Sequence, residues 1–128
     1  MLLIGVASPV VVSLKKTPVP LDVPSYQQTG MSVNWTELVK LLASDGSTGA
    51  MFGASVSLDG DTAIIGADGD DDLMGAAYVF IRTGTTWSQQ AKLTPADGQT
   101  YDRFGFAVSL SGDTALIGAL IDDDNGVD

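Results

Sequence analysis

The sequence predicts an all-β fold, a partial β-propeller made of four-stranded antiparallel blades on a 52-residue repeat. Three observations predict it. The stretch "FGASVSLDGDTAIIGA" at residues 52–67 returns as "FGFAVSLSGDTALIGA" at residues 104–119. Sliding the chain by 52 aligns residues 35–76 with 87–128, and 21 of those 42 positions are identical. Between glycine-bearing turn signals lie short apolar or alternating runs of strand length. Self-similarity at such a period marks a unit that cannot bury its own faces alone and stacks on neighbours of the same design.

Each unit reads as four strands. The first is "ASVSL", residues 54–58. Asp59-Gly60 follows, a pair suited to the two positive-φ positions of a type I′ hairpin turn, and the copy keeps the glycine as Ser111-Gly112. The second strand, "TAIIGA" (62–67), is apolar and small-residue rich, as expected for a strand covered on both faces. An acidic loop (68–74) leads to the third strand, "GAAYVFIR" (75–82), and "TGTT" turns the chain into the fourth, "WSQQAKL" (87–93). There Trp87, Gln89, Ala91 and Leu93 alternate with Ser88, Gln90 and Lys92, the period-two pattern of a half-exposed strand. Polarity therefore rises from the second strand to the fourth, as it does from the inside of a propeller blade to its rim. A sandwich of the same strands would alternate equally well. The 52-residue repeat favours the propeller, because sandwiches seldom repeat their own sequence.

Composition narrows the chemistry. Sixteen acidic against six basic residues give a net charge of -10, which repels phosphate backbones and argues against nucleic acid as a partner. The absence of cysteine and histidine rules out disulfides, thiol nucleophiles, imidazole bases and the usual tetrahedral zinc sites. No glycine-rich loop ends in Lys-Ser/Thr. A glycosidase needs one defined carboxylate pair, whereas repetition places equivalent aspartates in different blades. The expectation is a non-enzyme.

The opening run "MLLIGVASPVVVSLKK" has its lysines, Lys15 and Lys16, after the apolar stretch, the reverse of a secretory signal. It is also shorter than the roughly 20 residues of a membrane-spanning helix. It reads as strand-forming sequence, with no membrane span in this chain. Residues 1–34 are then an N-terminal segment, the degenerate end of a preceding blade. Residues 35–86 form the first repeat and 87–128 a second that is truncated after its acidic loop. Propellers close with about four to eight blades, so the chain is either a fragment of a longer one, the favoured expectation, or a unit that assembles with other copies, with further blades of the same propeller as its partners. Alone it would expose apolar faces at "TALIGAL" and "AAYVFI".

Phe52-Gly53 followed by Gly66-Ala67, and Phe104-Gly105 followed by Gly118-Ala119, resemble the FG-GAP repeat. That motif builds the β-propeller heads of integrin α chains and many bacterial surface proteins. The resemblance covers residues 35–128, and weakly 20–34, where Tyr26 falls 52 before Tyr78. It implies an integrin-like propeller, an extracellular or cell-surface location, and cell adhesion through a protein or glycan ligand. Two departures stand out. The proline closing the integrin-type motif is Asp68 in one copy and Leu120 in the other. The integrin-type calcium loop inside the hairpin is also missing: "LDGDT" and "LSGDT" keep Asp61 and Asp113, and one carboxylate on a short turn cannot supply the six to eight oxygens calcium takes. The chain resembles the bacterial-type, short-hairpin version.

The candidate metal residues lie elsewhere, in "DGDDD" (68–72) and "DDDNGVD" (122–128). Asp70, Asp71 and Asp72 align with Asp122, Asp123 and Asp124. Clustered loop carboxylates can wrap a hard cation such as calcium. They equally make a solvated turn in which aspartates accept backbone N–H bonds. Asp45-Gly46 and Asp97-Gly98 read as Asx turns, Trp35 and Trp87 as packing against a neighbouring blade, and Phe52 and Phe104 as core. Gly53 and Gly105 read as points of close strand approach. The functional expectation is a non-catalytic extracellular β-propeller module for protein or glycan binding. The rival expectations are a purely structural repeat of a large surface protein and an accessory propeller of a hydrolase.

Overall fold

The computed structural model describes residues 11–18 and 33–122. Among these, eight strands run in order: β1 (Val11–Pro18), β2 (Val33–Leu41), β3 (Ser55–Asp59), β4 (Thr62–Ala67), β5 (Ala76–Thr83), β6 (Thr86–Leu93), β7 (Phe104–Ser111) and β8 (Thr114–Ala119). They make three antiparallel sheets, of order β1-β2, β3-β4-β5-β6 and β7-β8. The middle sheet is the complete four-stranded blade, and its strands fall within a residue of the positions expected. The first sheet draws β1 from the N-terminal segment and β2 from across residue 35. Part of the opening run is thus strand, while its first ten residues and Tyr26 lie outside the described residues.

One hairpin expectation is corrected. Asp59 pairs with Thr62, so the two turn residues are Gly60 and Asp61, not Asp59 and Gly60. Gly60 has φ 56°, and Asp61 is not in the positive-φ region. In the second copy Ser111 pairs with Thr114, and Gly112, again at φ 56°, is the first turn residue. A glycine at the first central position with positive φ there alone is the φ pattern of a type II′ turn. The register has a physical reason. It sets Leu58 opposite Ala63 and leaves Asp61 at the tip, where Arg82 of β5 binds it. The Arg82 N–H donates to the Asp61 carbonyl at 2.8 Å, and the guanidinium meets the carboxylate at 2.7 Å.

Burial follows the expected gradient. Every residue of β4 from Ala63 to Ala67 is buried, as are Ala76, Ala77, Tyr78 and Phe80 on β5. Along β6, Trp87, Gln89, Ala91 and Leu93 are half-buried and their neighbours exposed. A register shift opposite Val79 and Phe80 bulges β6 at Gln90 without breaking the alternation. Phe52 sits at the centre of the core, edge-on to Tyr78 at 5.4 Å and to Phe80 at 6.1 Å. Leu41 of β2 joins the same cluster.

The two copies are not joined into one continuous sheet. The β7–β8 hairpin packs through β7 on the face of β3 and β4, and the motif glycines make that approach possible. A side chain on Gly66 would run into the Gly105 carbonyl, and one on Gly105 into the Ala76 carbonyl. Sheets packed face to face about small residues are the radial stacking of a propeller. Ile64, covered by this packing, is 2% exposed, whereas its counterpart Leu116 is 69% exposed. Phe104 and Trp35 differ from expectation. Phe104 is only half-buried, because the described β7–β8 sheet has no third strand to give it the ring contacts that Tyr78 and Phe80 give Phe52, and Trp35 is 62% exposed.

Candidate functional site

The acidic loop after β4 gathers the charged chemistry of the blade. It is not an open loop throughout. Asp70–Leu73 forms a tight turn in which Asp71, Asp72 and Leu73 adopt φ of 47°, 57° and 69°. Aspartate tolerates this left-handed region better than most residues, whereas leucine pays the ordinary steric penalty. The turn divides the three candidate carboxylates: Asp70 points inward and is 4% exposed, while Asp71 and Asp72 are exposed.

Asp70 meets a prepared set of partners. Lys92 Nζ, near the end of β6, lies 2.6 Å from Asp70 Oδ2 and 2.7 Å from Asp45 Oδ2. The Tyr78 hydroxyl lies 2.9 Å from Asp45 Oδ1 and 3.2 Å from Asp70 Oδ2, with one proton to donate between them. The Lys92 ammonium also stands 5.4 Å from the centre of the Tyr78 ring. Burial works against the lysine charge, but the Asp45 and Asp70 carboxylates outweigh it and hold the Lys92 pKa above its ordinary value. Burial, reinforced by the hydrogen bond to Asp45, pushes the tyrosine pKa up. The bond from Lys92 holds the Asp45 carboxyl below the usual range. Asp45, read from sequence as an Asx turn, thus sends its side chain across to the rim strand. The preceding Ser44 follows it: its N–H donates to Gln89 Oε1 at 2.9 Å, and Gln89 Nε2 donates back to Ser44 Oγ at 3.0 Å. Together these contacts tie the entry loop of the blade to its outermost strand.

A second charged pair joins the two repeats. Asp68 is 3% exposed and lies 3.4 Å from Arg103 Nε, close enough for an ion pair but misaligned for a hydrogen bond. Asp68 Oδ1 is buried with no hydrogen-bond partner. Arg103, at φ 58°, is fixed by its own N–H, which donates to the Leu73 carbonyl at 2.8 Å. The Phe104 N–H likewise donates to the Met74 carbonyl at 2.9 Å, beside an isolated parallel bridge between Gly75 and Phe104, and the remaining bonds across the junction join serine and aspartate side chains to backbone. Ser55 Oγ donates to the Gly105 carbonyl at 2.7 Å, the Leu110 N–H to Ser57 Oγ at 3.0 Å, and the Gly112 N–H to Asp59 Oδ2 at 2.6 Å.

Of the candidate cation ligands, Asp70 is engaged by Lys92, Asp71 and Asp72 face solvent, and Asp122 is exposed. Asp123 and Asp124 lie outside the described residues. Among the described residues no group of three acidic side chains converges as a cation cage. Trp87 packs half-buried against the core, with Arg82 stacked 5.5 Å from its ring centre. It lines a cavity of about 140 Å³ between the first and second sheets with Val11, Leu41, Val56, Leu58 and Ala63.

Sequence reasoning passed over Lys92, Tyr78 and Arg103 as partners. For the first two a signal existed: Tyr26, Lys40, Asp45 and Asp70 recur at an offset of 52 as Tyr78, Lys92, Asp97 and Asp122. Polar residues that repeat with the motif are candidates for mutual contact. Arg103 has no such signal, because Met51 stands at its equivalent position.

Among the described residues no helix is long and apolar enough to cross a membrane. A search of curated proteins returned no match. The family model of the FG-GAP repeat matches twice, over residues 35–80 and 87–128, each match beginning on the tryptophan of one copy. With both Phe-Gly hairpins stacked through their glycines and most of its length matched, the chain belongs to the FG-GAP repeat family.

Proposed function

We propose that this chain serves as a non-catalytic β-propeller module of an extracellular or surface protein, holding exposed loops toward a protein or glycan partner. One observation carries the reading: the contrast between Ile64, 2% exposed, and Leu116, 69% exposed, at equivalent positions. The face covered in the first repeat is bare in the second, which supports a further repeat seated on β7–β8. The acidic turn supports a role in presentation. Lys92 and Tyr78 brace it from beneath through Asp70, leaving Asp71 and Asp72 on the surface. A divalent cation on this loop would rest on those two carboxylates.

The test has two arms. A chain extended by further FG-GAP repeats should sediment as a monomer and melt cooperatively. That chain, probed on immobilised glycans and matrix proteins, should bind a subset with micromolar affinity or better. An extended chain that folds well but binds no probe would move the reading to a purely structural repeat.

A further inference from the structure

The junction between the two repeats poses a selection problem. Its three serine and aspartate hydrogen bonds all end on backbone atoms of β7 and its turn, so any Phe-Gly hairpin of this shape would satisfy them. The glycine contacts of Gly66 and Gly105 are equally indifferent, because Gly53 is the counterpart of Gly105. The Asp68–Arg103 pair is different in kind, because it requires a particular side chain just before the Phe-Gly. The counterpart of each is apolar: Met51 of the first repeat stands where Arg103 does in the second, and Leu120 of the second where Asp68 does in the first.

An imperfectly hydrogen-bonded ion pair with a buried carboxylate and a half-buried guanidinium is a poor device for stability. Replacing such a pair by apolar residues is often neutral or stabilising, whereas leaving one charge buried alone is strongly unfavourable. That asymmetry suits discrimination. We infer that Asp68 selects the hairpin that seats on the β3–β4 face, accepting one preceded by arginine and rejecting one preceded by methionine. The rejected competitor is concrete: the β3–β4 hairpin of a second molecule, presenting Met51, would leave the Asp68 carboxylate buried without a counter-charge.

The sequence has no cysteine, so cysteines at the equivalent last residues of β3 and β7, Asp59→Cys and Ser111→Cys, report seating through a single disulfide in the full chain. It closes within one molecule when the chain's own β7–β8 is seated, and between molecules when another β3–β4 hairpin takes the place. With Asp68 and Arg103 intact, the product is mainly within the chain. Adding Arg103→Met should raise the between-chain share about tenfold or more. The pair Asp68→Leu with Arg103→Met removes the buried charge altogether. It should melt at or above the temperature of the cysteine-bearing parent yet keep the raised between-chain share, which separates selection from folding. The inference is overturned if the double variant stays as selective as the parent, or if Arg103→Met leaves the product ratio unchanged. Should Arg103→Met fail to fold, the double variant decides alone.

Discussion

Lys92 Nζ stands 2.6 Å from Oδ2 of Asp70, a carboxylate that is 4% exposed. The lysine comes from the rim strand and the aspartate from the turn after the second strand, so this contact holds the blade together across its width. Removing the cation leaves a buried carboxylate with only the Tyr78 hydroxyl. Lys92→Met is expected to cost about 3 kcal/mol, the low end for breaking a buried pair because Lys92 keeps part of its surface in water. Urea denaturation of the two proteins side by side checks it. A loss below about 1 kcal/mol would reduce the pair to an ordinary surface contact.

The same cluster sets a pH window. Asp45 has its pKa depressed in the fold, so its contribution is present above its ordinary value of 3.8 and disappears as pH falls through the lower folded value. Lys92 has its pKa raised, so its contribution is complete below the ordinary 10.5 and disappears as pH rises through the higher folded value. Tyr78 is shifted in the same direction as Lys92 and loses its contribution on the same alkaline side. Melting temperature should therefore be level from about pH 5 to 9 as far as these groups decide it, and decline on both sides. The alkaline decline should be weaker in Lys92→Met. Melting curves from pH 3 to 11 on both proteins measure the difference.

Close approach of the repeats depends on Gly105, which has φ 88° and carbonyl and backbone atoms of Ala76 and Ala67 where a side chain would go. Gly105→Ala adds both a left-handed strain and an overlap, together about 2–4 kcal/mol. Gly84, at φ 63° with nothing near its missing Cβ, bears the strain alone. Gly84→Ala should cost only about 1–2 kcal/mol. Equal losses in the two variants, read by thermal melts, would remove the packing explanation.

Calcium tests the acidic turn. Asp70 is already neutralised by Lys92, and two exposed carboxylates fall well short of the six to eight oxygens the ion takes. Millimolar calcium is expected to leave the melting temperature within about 1 °C. A larger rise, abolished by Asp71→Asn with Asp72→Asn, would establish a site on that loop.

Much of this architecture was legible before any coordinates. The repeat at 52 residues, the four strands from Ser55 to Leu93 and the alternation of Trp87, Gln89, Ala91 and Leu93 are properties of local pattern, and patterns of period two survive folding unchanged. The burial of Phe52 was also expected, but Phe104 in the same motif is only half-buried, so the local pattern alone does not decide it. What stayed hidden was every contact between residues distant in sequence: Lys92 on Asp70 and Asp45, Arg103 on Asp68, Ser57 on the Leu110 amide. The turn glycine was misplaced by one position because Asp59-Gly60 and Gly60-Asp61 both contain a suitable glycine. Long-range pairing chose between them by giving Asp61 to Arg82.

The amino-acid order alone determined that this chain is a run of stacked β blades, because periodicity and small residues act over a few positions at a time. The tertiary structure decided which of its aspartates are buried counter-ions and which meet solvent. That depends on the left-handed turn at Asp71–Leu73 rotating Asp70 inward onto a lysine more than twenty residues away, an outcome no local pattern encodes.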